Sequence, residues 1–167
     1  MNLKNGWHLL NKIPTLEEAI VHIRNRPYMS GVDRTKDRVD ATEEVFTDTD
    51  KAIDLVNRIE RHRPELFTNT NLTILDPCVG DGALLGECLI RRLERGCDFE
   101  SSIKSLRGLD LMVDNIKLCR KKLLCGCEHL KSWAEQYLRV GDGLKDSYSF
   151  GNPVKFGGNP ELFEQET

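Results

Sequence analysis

The chain has 167 residues, with 24 Lys and Arg against 27 Asp and Glu and a net charge of -3, a length that suits one domain with its own core. This balance excludes the strong basic excess of a protein that grips nucleic acid over its whole surface, and leaves that role to local patches. No apolar run approaches the roughly 20 residues of a membrane span, and the opening MNLKNGWHLLNK has no apolar stretch followed by a small-residue cleavage site, so a soluble cytoplasmic protein is expected.

In chain order, TLEEAIVHIRN (15–25) follows Pro14 and places Thr15 and Glu18 at capping-box spacing, with Leu16, Ile20 and Ile23 on one face of a short helix. Next, RPYMSGVDRTKDRVDATEE is polar and without periodicity, a loop or arm. From His22 to Arg38 five Arg or Lys face two Asp. Residues 1–41 read as an N-terminal helix and basic arm, and residues 42–167 as the main domain. A helix from about Asp50 to His62 is expected, with Thr47 or Thr49 as cap and Ile53, Val56 and Ile59 recurring every three residues.

Strand and helix then alternate: LTILD, ALLGECLIRRLERG, SLRGLD, VDNIKLCRKKLLCG and QYLRVGD. Alternation of this kind means a parallel sheet with helices packed on it, an α/β fold. The segment GCDFESSIKS reads as an insertion before the second strand. The six cysteines (Cys78, Cys88, Cys97, Cys119, Cys125 and Cys127) read as reduced thiols, several of them inside periodic apolar segments. Cys125, Cys127 and His129 lie close together, but a structural zinc site needs a second ligand pair and none has the spacing, so no metal is expected.

ILDPCVGDGALL (74–85) passes from strand to glycine loop to helix. In an open parallel sheet the ligand sits beyond the carboxyl ends of the strands, where such a loop hands over to a helix. Gly80 and Gly82 let backbone approach a ligand, and the first free amides of the following helix favour an anionic group. Asp76 puts a carboxylate at the mouth of the same crevice, where it would repel a pyrophosphate and attract an ammonium. The combination points to a zwitterion. A dinucleotide loop would carry a third glycine where Leu85 stands, although Gly86 is adjacent. Asp110 closes the second strand, placed to accept ribose hydroxyls, and Asp142 follows the third. Each of the three aspartates also has a plain reading as turn chemistry.

ILDPCVGDGALL resembles the D-P-x-x-G-x-G-x-F/L cofactor motif of S-adenosylmethionine-dependent methyltransferases of the N6-adenine DNA type. TEEVFTDTDKAIDLVNRI, upstream, resembles the element that precedes this motif in one branch of the family, with Asp48 where the family has proline. The resemblance covers about Thr42 to Asp142. It implies a Rossmann-like sheet and S-adenosylmethionine as cofactor: Phe46 and Thr47 would contact it, and Asp76, Gly80 and Gly82 would hold its amino-acid part with Cys78 in the same loop. Asp110 would take the ribose and Asp142 the adenine amino group.

The family's catalytic motif is D/N/S-P-P-Y/F, whose polar side chain and carbonyl hold the target amine while the ring stacks on a flipped base. The end of the chain, SFGNPVKFGGNPELFEQET, has two partial matches. One is Asn159 and Pro160 with Phe163, and the alternative is Asn152 and Pro153 with Phe156; neither has the second proline. The sheet is therefore expected to be short at its C-terminal side. Three functions remain open: a small or partial DNA adenine methyltransferase, a catalytically degenerate cofactor-binding module or subunit completed by a second protein chain, and a methyltransferase for another substrate. If DNA is bound, residues 24–38 and the RIERHR surface (58–63) are expected to meet its phosphates.

Overall fold

A computed structural model of the chain describes residues 12–25 and 47–150. Their elements, in order, are α1 (Leu16–Asn25), α2 (Thr49–His62), α3 (Glu65–Thr68), β1 (Ile74–Asp76), α4 (Ala83–Glu94), α5 (Phe99–Lys104), β2 (Leu106–Asp110), α6 (Val113–Leu124), a 3-10 turn (Glu128–Leu130), α7 (Lys131–Tyr137) and β3 (Leu138–Val140). The expected capping box of α1 is present, with the Glu18 amide donating to Thr15 Oγ1 and the Thr15 amide to Glu18 Oε2. Asp48, rather than Thr47 or Thr49, caps α2. Its carboxylate accepts from the Lys51 amide at 2.9 Å, and a carboxylate there also suits the positive end of the helix dipole.

The three strands form one parallel sheet in the order β1-β2-β3, with Ile74 opposite Leu106 and Gly108 opposite Leu138. The architecture is α/β. Alternate residues of a strand face opposite sides of a sheet, which puts Ile74, Leu106 and Leu138 on one face. Leu85, Leu89 and Ile90 of α4 and Ile116, Cys119 and Leu123 of α6 join them there in the principal core, together with Ile23 of α1. Full burial of each such leucine contributes about 1.5–3 kcal/mol. A smaller cluster of Val56, Phe67 and Cys88 seats α2 and α3 against the outer side of α4. The opposite face of the sheet carries Arg107 and Arg139, stacked on the rings of Tyr137 and Phe150 at 3.9 and 4.9 Å.

The segment GCDFESSIKS carries a helix of its own: Asp98 caps α5 by accepting from the Ser101 amide at 2.8 Å, and Phe99 and Ile103 enter the core. One expectation fails. The third strand does not begin at Gln136, because Ala134 is buried on the last turn of α7 and the chain extends only from Leu138.

Candidate functional site

The loop from β1 to α4 is built almost wholly from hydrogen bonds that its own residues and β2 supply. Asp76 Oδ1 accepts from the Cys78 amide at 3.0 Å, an Asx turn at the end of the strand. The Val79 amide continues the ladder to the Leu109 carbonyl at 2.8 Å, and the Gly82 amide donates to the Val79 carbonyl at 2.8 Å. Gly80 and Gly82 both have left-handed backbone, with φ of +54° and +81°, which explains the residue type at each. The glycines differ otherwise. A Cβ on Gly80 would meet open space, whereas one on Gly82 would lie 2.8 Å from Cys119 Sγ, so Gly82 serves the close packing of α4 on α6.

This loop walls a cavity of about 220 Å³ lined by Thr47, Leu55, Asp76, Cys78, Val79, Gly80, Asp81, Ala83 and Leu84. Four of the residues singled out in the sequence (Thr47, Asp76, Cys78 and Gly80) therefore share one concavity, between the start of α2 and the start of α4. Leu55 and Leu84 give it an apolar side, and Asp76 is its half-buried carboxylate. Burial raises the Asp76 carboxyl above its ordinary value, and the nearby Asp110 carboxylate adds to the rise. A charged Asp76 is thus a strained tenant that a cation in the cavity would relieve.

Asp110 lies outside that lining and organises it. Its Oδ2 accepts from the Gly80 amide at 2.9 Å, and its Oδ1 from the Met112 amide at 2.8 Å and from Asn115 Nδ2 at 3.2 Å. It joins the loop after β1 to the start of α6. A carboxylate has about four acceptor positions, so one remains for a further donor. Asp142 faces its own turn, accepting from the Leu144 amide at 2.9 Å with Lys145 Nζ at 3.3 Å, and both contacts lower its pKa. The turn itself reaches the site, because Gly143 sits so close to the Pro77 carbonyl that a Cβ there would collide with it. Phe46, Asn152, Pro153, Phe156, Asn159, Pro160 and Phe163 lie outside the described residues.

Much of the RIERHR surface is internally neutralised. Arg58 pairs with Asp54 at 2.8 Å and Arg63 with Glu65, while Glu60 bridges Arg91 of α4 and Arg95 at the cap just past its end. The remainder of the 24–38 arm beyond Asn25 is outside the described residues, and Arg24 itself makes a two-pronged bond to the buried Glu87 at 3.0 and 2.8 Å. His129 bonds Glu100 at 2.9 Å and Cys127 is buried, its thiol pushed up to about 11 by burial. Cys88, buried beside α2 and α3, is likewise pushed up to about 12, so both thiols act as small apolar groups. Among the described residues no helix is long and apolar enough to cross a membrane.

The chain matches no protein-family model, no curated protein and no solved structure. Sequence reasoning missed three residues around the loop. Leu55 reads as an exposed position of an amphipathic helix; Asp81 and Lys122 read as ordinary polar residues although they are fully buried together. The spacing of Asp81 between the two loop glycines was the available signal for the second.

Proposed function

We propose that the cavity binds the amino-acid end of S-adenosylmethionine and that the chain is a methyltransferase-like protein with a Rossmann-like sheet. The observation that carries this is the half-buried Asp76 carboxylate on the wall of a cavity beside the N-terminus of α4. A zwitterion suits both halves of that wall, its ammonium against Asp76 and its carboxylate toward the amides that open α4. Thr47 at the start of α2 supplies a hydroxyl on the opposite side, and Leu55 and Leu84 an apolar contact for a thioether chain. Asp110, one acceptor position still open, is placed for a ribose hydroxyl beyond the cavity.

Adenine in DNA as the methyl acceptor rests on the motif resemblance alone, as does a second chain that would supply catalytic or target-recognition parts. Calorimetry with S-adenosylhomocysteine tests the ligand. Binding that weakens in Asp76→Asn supports the reading, and binding of a nicotinamide dinucleotide in its place would replace it. Tritiated S-adenosylmethionine with unmethylated DNA, the chain alone and then with fractions of a source lysate, separates a self-sufficient enzyme from a subunit. Label on protein or RNA would select another substrate.

A further inference from the structure

Asp81 and Lys122 form an ion pair at 3.2 Å with side chains 2 % and 1 % exposed. Asp81 belongs to the glycine loop and lines the cavity; Lys122 reaches it from α6, on the far side of α4. Two glycines one helical turn apart border its route. A Cβ on Gly86 would stand 2.7 Å from Ile23 Cγ2 of α1 and 3.3 Å from Lys122 Cδ, and the missing Cβ of Gly82 makes room for Cys119, one turn before Lys122 on α6. The two helices thus open a passage that delivers one ammonium beneath the loop.

A buried ion pair is a poor device for stability alone, because desolvation of both charges offsets most of their attraction and an apolar pair often serves as well. Such a charge contact can instead serve geometry. Here it falls on the residue between two glycines with left-handed backbone, where the chain is otherwise soft. We infer that the Asp81–Lys122 pair is a positioning device that holds the loop backbone in the conformation the cavity's ligand requires. Its binding measurement rests on the ligand proposed above; its exchange measurement does not.

The test compares the parent chain with Asp81→Asn, Lys122→Met and the double variant Asp81→Ala/Lys122→Met. Each single variant leaves one of the two charges buried without the other and lowers Tm, whereas the double variant removes both and regains most of that Tm. Its Kd for S-adenosylhomocysteine nevertheless stays raised by about tenfold or more, a difference of about 1.4 kcal/mol. In ligand-free protein the amides of residues 78–82 exchange hydrogen faster than in the parent while those of β2 do not. Return of parental affinity and loop protection together with Tm, or a double variant no more stable than the singles, overturns the inference. If the parent binds no S-adenosylhomocysteine the ligand proposal fails, and the exchange rates still decide the role of the pair.

Discussion

Arg92 on α4 and Lys122 on α6 are both fully buried, yet different kinds of group hold them. Arg92 spreads its fork over neutral acceptors: the carbonyls of Leu66 and Leu72 at 2.8 Å, that of Ser102 at 3.3 Å, and the Ser105 hydroxyl. These acceptors sit in the segments before β1 and before β2, at the end of α4 away from the glycine loop. Lys122 faces the Asp81 carboxylate within the loop. The contrast follows from the side chains themselves. A guanidinium has five fixed donors and stays charged even when burial depresses its pKa, as here, so several turn carbonyls can satisfy it. An ammonium is a compact point charge and needs a counter-charge to remain buried. One residue frames the domain; the other acts on the site.

The largest expected effect breaks the frame. Arg92→Met preserves much of the apolar stem but strands the Leu66 and Leu72 carbonyls, each at a cost of about 1–3 kcal/mol, so unfolding free energy should fall by about 3–5 kcal/mol. Denaturant unfolding measures it. The folded fraction should bind S-adenosylhomocysteine as the parent does, unlike the Lys122 variants. A midpoint unchanged from the parent would mean that water replaces the guanidinium and that Arg92 is no joint.

How much of this the sequence discloses depends on whether the signal is local. The capping box at Thr15 and Glu18 is written within one turn of chain and the strand–helix alternation in the residue pattern of single segments, and both are present. Asp76 and the two loop glycines are legible for the same reason. α5 escapes because its only apolar residues facing inward are Phe99 and Ile103, too few for a period, although Asp98 before Ser101 spells its cap. Arg92 and Lys122 escape because a basic residue on an amphipathic helix ordinarily belongs to the solvated face. Their partners lie in other segments, and nothing in the intervening residues announces the pairing.

A middle-sized effect separates the two glycines of the loop. Gly82→Ala adds left-handed strain to a clash with Cys119 and should cost about 2–4 kcal/mol, whereas Gly80→Ala meets open space and should cost only about 1–2 kcal/mol. The smaller residue in Cys119→Ala should recover part of the loss in Gly82→Ala and none of that in Gly80→Ala, a coupling read from the double-mutant cycle. Equal losses and no coupling would show that α4 and α6 give way at this contact.

The smallest effect concerns the charge that borders the cavity. Because burial raises the Asp76 pKa, the folded chain holds its proton more tightly than the unfolded chain does. The ionised side chain therefore subtracts stability, by an amount that is absent below the ordinary carboxylate range near pH 4 and complete once pH exceeds the raised folded value. Asp76→Asn keeps the acceptor for the Cys78 amide and removes the charge, so its Tm should draw ahead of the parent's as pH climbs through that window. The lead should be a few degrees at most, since 1 kcal/mol moves Tm by about 2–4 °C in a chain of this size. An ammonium-bearing ligand reverses the balance, because it stabilises the ionised form and pulls the pKa down. S-adenosylhomocysteine should thus bind the parent less tightly as pH falls through the raised value and give the Asn variant no comparable dependence. Parallel Tm curves for the two chains would place the Asp76 charge in water-like surroundings and remove the strain that a bound ammonium is proposed to relieve.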